Sequence, residues 1–159
     1  MSDKEEVNPL DKLVIEGGKP LSGTIRIHGA KNAALPILAA SLLAEGSVKL
    51  LNVPQLLDID VMLDILRNLG CRAEHEEQTV LLDGANIASS HIPEPLMRQM
   101  RSSVFLMGPL LARFGEVQLY QPGGCAIGER KIDLHLRGLP PLARTSKRRA
   151  AELYARPRG

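Results

Sequence analysis

The run QPGGCAIGERKID, residues 121–133, sets Cys125, one of two cysteines, behind Gly123 and Gly124 and ahead of Arg130 and Lys131. Glycines let a backbone approach a ligand closely, and a guanidinium near a thiol favours the thiolate that attacks electrophiles. Cys125 is therefore either a reactive group on an open loop or a small packed residue, and its neighbours leave both readings open. Lys31 and Asn32 form a second candidate in GAKNAALP, residues 29–36, directly ahead of an apolar run. If that run is a helix, its first N–H groups and its dipole favour an anion, and the lysine adds a full charge. The alternative is a solvated turn with Asn32 as the helix cap. Arg98 and Arg101 stand three apart ahead of Ser102 and Ser103; on one helix they share a face, as solvated arginines also do.

Other chemistries find little support. Cys71 follows an expected helix end and reads as a packed strand residue, and neither cysteine sits in a CxxC, so disulfide and zinc are not expected. His28, His75, His91 and His135 form no HxxxH pair, so no metal site is expected. No Walker A pattern occurs, which removes a nucleotide P-loop. No cofactor is implied.

These groups need elements to position them. Residues 13–16 and 24–28 read as short strands around the turn-rich GGKPLSG, and residues 33–44 as a buried helix closed by Gly46. Val48, Leu50 and Asn52 alternate as a strand. Asp58 can cap a helix to Leu69, with Ile59, Met62, Leu63, Ile65, Leu66 and Leu69 on one stripe and Gly70 ending it. Strands are expected over 71–74 and 79–82, one long helix over 95–113 adjusting before Pro109, a strand over 116–120, and a further helix from Ile132 to Leu139. SLLAEGSVKLLNVP, from Ser41, is echoed by PLLARFGEVQLYQP, from Pro109, and DILRNLG by DLHLRGL, a self-similarity of roughly 68 to 70 residues. The expected class is α/β (α+β), built from repeated α/β modules of which two, the second incomplete, are visible.

Composition agrees with a folded domain: 159 residues, about 44% hydrophobic and 24% charged. The longest apolar run is too short for a bilayer, and the acidic, polar N-terminus lacks the features of a secretory signal. A cytoplasmic chain with no membrane partner is expected. The net charge of +2 hides a basic tail, for residues 140–159 carry six Lys or Arg against Glu152 alone. With three prolines and Tyr154 as its one aromatic, that tail presents no organised face for nucleic acid.

Four stretches then resemble, in order and spacing, the amino-terminal third of the bacterial UDP-N-acetylglucosamine 1-carboxyvinyltransferases. They are DKLVIEGGKPLSGTIRIHGAKNAALPILAASLLAEG, NVPQLLDIDVMLDILRNLG, MRSSVFLMGPLLARFG and QPGGCAIGERKIDLH, together covering residues 11–139. The resemblance implies an enolpyruvyl transferase fold of six βαβαββ-type units in two domains. Residues 11–22 would belong to the other domain, residues 23–139 to a partial domain, and residues 1–10 to a disordered N-terminus. It also implies the chemistry: a sugar-nucleotide 3′-hydroxyl adds to C2 of phosphoenolpyruvate, C3 is protonated, and phosphate leaves. Lys31 would hold phosphoenolpyruvate with Asn32 beside it, and Arg101 would contact the anionic substrates. Cys125 would protonate C3, form an adduct with phosphoenolpyruvate and be the target of fosfomycin. Arg130, Lys131, Ile132, Asp133 and Leu134 would bind the nucleotide, with Glu129 and Lys131 standing where the family more often has a small residue and a proline. The general base would lie beyond residue 159, so this chain alone is expected to lack turnover. The alternatives are a 5-enolpyruvylshikimate-3-phosphate synthase-like enzyme and a non-catalytic remnant.

After HLRGL the family would continue Ala-Ala-Leu-Gly-Ala-Asp, where this chain reads PPLARTS. A G+C-rich coding sequence for PPLARTS, with one G restored in front, reads Ala-Ala-Leu-Gly-Ala-Asp-Val. Residues 140–159 are therefore expected to be out of frame, which also accounts for their arginines and prolines.

Overall fold

The computed structural model describes residues 14–115, 117–120, 122–123, 132 and 134–135. Its elements in chain order are α1 (Lys31–Ala40), β1 (Val48–Leu51), α2 (Leu57–Asn68), β2 (Arg72–Glu76), β3 (Thr79–Asp83), α3 (Glu94–Gln99) and α4 (Met107–Phe114). Short 3-10 segments, Ser41–Leu43 and Arg101–Leu106, continue α1 and precede α4. The strands form an antiparallel sheet in the order β1-β3-β2, with Val48 opposite Leu82 and Ala73 opposite the same Leu82 from the other side. Mixed helix and sheet is the expected class.

Helix α2 is the centre of the core. Ile59, Met62, Leu63, Ile65, Leu66 and Leu69, the expected stripe, are all buried, and the helix packs on α1, β2 and α3. Acids Asp58 and Asp60 lie in its first turn and Arg67 in its last, the signs that complement a helix dipole. It stops at Gly70 through a paired closure: Gly70 N–H donates to Arg67 O and Cys71 N–H to Leu66 O, both at 3.0 Å. Gly70 has φ +106°, and a Cβ there would sit 2.6 Å from Asn86 O, so glycine is required twice over. From the other side α1 contributes Ala34, Leu35, Leu38 and Ala39, and Leu42 follows at helical spacing.

Four local expectations change. No strand forms in residues 14–30, where Val14, Ile15, Leu21, Ile25 and Ile27 are exposed; alternation supplies a strand's pattern but a ladder needs a partner. Neither expected cap is one: Ala30 precedes α1 and Leu56 precedes α2, each without a side-chain cap bond, and Asn32 and Asp58 are second residues of their helices. The long helix is three pieces: besides the expected adjustment before Pro109, where the 3-10 segment gives way to α4 at Met107, it is interrupted at Met100, which is extended at φ −144°, ψ 132°. The buried Ser103 hydroxyl holds that break by donating to Met100 O at 2.7 Å. Of the expected strand over 116–120, Glu116 lies outside the described residues and residues 117–120 form bridges only, with His91 paired to Gln118 in parallel. Most of the expected helix from Ile132 lies outside the described residues. No helix among the described residues is long and apolar enough to cross a membrane.

Candidate functional site

Lys31 is the first residue of α1, a position where a cation opposes the helix dipole. The first turn holds no acid and no side chain caps it, so the local sequence leaves positive charge concentrated there. Across the fold, Asp58 answers it: Lys31 Nζ donates to Asp58 Oδ2 at 2.5 Å. The two side chains are 43% and 33% exposed, so the pair contributes little to stability, well under about 1 kcal/mol. Its effect is geometric, holding a long amine at the mouth of a helix whose N–H groups face outward. Asn32 follows, exposed, on the same turn.

The chain reaches this point through a tight passage. Gly29 N–H donates to Asn52 Oδ1 at 3.2 Å, and a Cβ on Gly29 would overlap the Asn52 carbonyl oxygen. Gln78 Nε2 donates to His28 Nδ1 at 2.9 Å. An open hollow of about 420 Å³ beside this passage is lined by Arg26, Gln55, Glu77, Gln78 and Thr79. Lys31 and Asn32 do not line it.

Arg101 opens the 3-10 segment just after the break at Met100, and that segment packs on α1. Arg98 and Arg101 therefore do not share a helix face. Arg98 pairs instead with Glu94, one turn back in α3, at 2.5 Å. The same break receives the start of the cysteine loop: Gly123 N–H donates to Met97 O at 3.1 Å, and a Cβ on Gly123 would overlap Arg98 O. This glycine is required by an approach to the protein's own backbone rather than to a ligand. Ile132 is half-buried and Leu134 exposed. Cys125, Arg130, Lys131 and Asp133 lie outside the described residues.

Sequence reasoning missed Asp58 as a partner of Lys31 and Asn52 as the support of Gly29. The left-handed conformation of Asn52, φ +60°, had a signal in the residue type, since asparagine tolerates that region. Among the described residues no cluster of His, Cys, Asp or Glu could hold a metal ion.

Cys71 behaves as expected of a packed thiol. It is 7% exposed, and burial, opposed by the Arg113 guanidinium and aided by Asp83, pushes its pKa from 9.0 up to about 11. The folded thiol holds its proton more tightly than the unfolded one, so its contribution to stability is complete below pH 9.0 and is lost as pH rises toward 11. Urea midpoints are expected to drop across that interval, and the drop to shrink in Cys71→Ala. An equal drop in both proteins would assign the effect to other groups. Iodoacetamide at about pH 8 is expected to leave Cys71 unmodified in the folded chain.

A family model described as EPSP synthase (3-phosphoshikimate 1-carboxyvinyltransferase) matches residues 15–154, a span that runs into the basic tail. The chain is 49% identical over 136 residues to the UDP-N-acetylglucosamine 1-carboxyvinyltransferase of Desulforapulum autotrophicum, covering 86% of this chain and 33% of that protein. It is 47% identical over 151 residues to the enzyme of the same name from Cellvibrio japonicus, covering 94% of this chain and 36% of the relative. It thus spans about a third of the length of these curated relatives. Among solved structures it is similar to the enolpyruvyl transferase NikO of Streptomyces tendae, with a TM-score of 0.58 and 28% identity over 64% of this chain and 24% of that one.

Proposed function

The chain belongs to the EPSP synthase family, and from that premise we propose that it forms the amino-terminal part of a UDP-N-acetylglucosamine enolpyruvyl transferase. The reaction moves the enolpyruvyl group of phosphoenolpyruvate onto the sugar 3′-hydroxyl and releases phosphate, a step of peptidoglycan synthesis. Phosphoenolpyruvate carries a phosphate and a carboxylate, so the site needs cations fixed before the substrate arrives. The observation that carries the reading is Lys31 at the open N-terminus of α1, held by Asp58 where no local sequence preference would put a lysine. Incoming phosphate accepts from that amine and from the free N–H groups of the turn, with Asn32 alongside. Arg101 supplies a second cation from the segment packed on α1.

Cys125 has the role of proton donor to C3. A thiol suits it because the group is a proton donor and a nucleophile within a narrow pH range, and the same nucleophile accounts for an adduct with phosphoenolpyruvate and for alkylation by fosfomycin. Arg130, Lys131, Ile132, Asp133 and Leu134 form the nucleotide contact. In the proposed domain scheme residues 11–22 belong to the other domain, residues 23–139 to this one, and residues 140–159 read out of frame.

A phosphoenolpyruvate titration followed by NMR tests the binding part. Backbone resonances of Lys31, Asn32 and Arg101 moving along one saturable curve support the reading; a response confined to the hollow beside Gln78 contradicts it.

A further inference from the structure

We infer that Asn52 is a positioning residue for Lys31, acting through Gly29; this rests on the reading of Lys31 as the phosphoenolpyruvate-binding cation. Asn52 directly follows β1 and lies 23 positions from Gly29 in the chain, yet three features converge on it. Its backbone is left-handed at φ +60°, a conformation asparagine and glycine accept and most residues avoid. That conformation turns the chain after β1 so that its Oδ1 accepts the Gly29 N–H at 3.2 Å. Its own carbonyl oxygen occupies the space a Gly29 side chain would take.

The turn carrying Asn52 is itself anchored. Val53 N–H donates to Gln78 O at 2.9 Å, tying the turn to the β2–β3 hairpin, and the side chain of the same Gln78 donates to His28 at 2.9 Å. Residues 28 and 29 are thus held at two successive positions by one rigid corner of the sheet. The next residue, Ala30, accepts the N–H groups of Ala33 and Ala34 at 3.0 Å and so begins α1. Without a capping side chain, the direction in which α1 sets out is decided by this corner, and Lys31 is the first side chain carried on it. Asp58 then fixes the amine from the α2 side. Two supports meet at one lysine, the backbone held by Asn52 and the ammonium held by Asp58.

The consequence is preorganisation. With Asn52 removed, the turn of α1 is expected to sample more orientations, and an anion that must find the N–H groups and the amine together meets them together less often. The loss should appear in affinity, at temperatures where the protein is fully folded, because the Asn52–Gly29 bond is solvent-exposed and adds little to global stability.

The experiment uses the full 159-residue chain and phosphoenolpyruvate as the probe, with affinity read from NMR titrations and folding from thermal melts. Asn52→Gly keeps the left-handed backbone and deletes the acceptor; it is expected to weaken binding roughly five-fold, the ratio carried by one neutral hydrogen bond. Asn52→Asp restores an acceptor in the same conformation and is expected to recover binding to within about two-fold. Binding by Asn52→Gly equal to that of the unaltered chain, or a loss in Asn52→Asp as large as in Asn52→Gly, overturns the inference. Lys31→Met separates the underlying reading: a loss there with Asn52→Gly unaffected refutes the positioning role alone. Unchanged binding by Lys31→Met, or no binding by the unaltered chain, refutes the anion-site reading and the inference with it.

Discussion

Lys31→Met is expected to weaken phosphoenolpyruvate binding by roughly ten-fold or more, the ratio set by one lost charge-assisted hydrogen bond. The melting temperature should barely move. Both halves follow from the same geometry. The ammonium is the one full positive charge placed by α1 at its own N-terminus, and methionine keeps the unbranched stem and the helix propensity while removing it. The ion pair that is lost with it is half-exposed on both sides, where pairs of this kind add little to folding. Asp58 is left without its cation but remains in the first turn of α2, a favourable place for an acid. A fall in melting temperature matching the fall in affinity would mean instead that Lys31 is a structural residue.

Leu66→Ala should have the largest effect on folding, a loss of about 2–5 kcal/mol. Leu66 is fully buried, at 0% exposure, in the helix that packs on α1, β2 and α3. Its carbonyl also accepts the Cys71 N–H that closes α2, so relaxation around the cavity is limited by a backbone that is already pinned. A domain of this size has a total stability of order 5–15 kcal/mol, so urea denaturation should register the change as a large fraction of the whole. Ile37→Ala, at a residue of α1 that is 50% exposed, is expected to stay below about 1 kcal/mol. Equal effects at the two positions would mean that α2 is not the centre of the core.

Helix α2 was readable because its information is local: a stripe of apolar residues at helical spacing, acids first, arginine last, glycine after. The helix break at Met100 carries no such mark, since neither glycine nor proline stands there, and the hydroxyl that supports it comes from Ser103 three residues later. Residues 24–28 alternate as strands do, but strand formation depends on a neighbour that no alternation can supply. The site divides in the same way. Lys31 stood out by its position before an apolar run, whereas Asp58 looked like a cap because capping is a local role and a partner 27 residues distant is not. Asn52 escaped notice for the same reason, as its function lies in what it meets across the fold. Gly123 was read correctly as a residue of close approach, but the approach is to Arg98 of the chain itself. Cys125 and Arg130 stood out by residue type and spacing, whereas the roles given to the cysteine loop came through family resemblance.

Acceptor choice is the most direct test of the account. Residues 14–139 can replace the matching segment of the Desulforapulum autotrophicum relative, to which this chain is 49% identical, and phosphate release can then be measured with phosphoenolpyruvate and one acceptor at a time. The account predicts release with UDP-N-acetylglucosamine, none with shikimate 3-phosphate, and loss of turnover when Cys125→Ala is introduced. Release with shikimate 3-phosphate, or full activity without the Cys125 thiol, would contradict it.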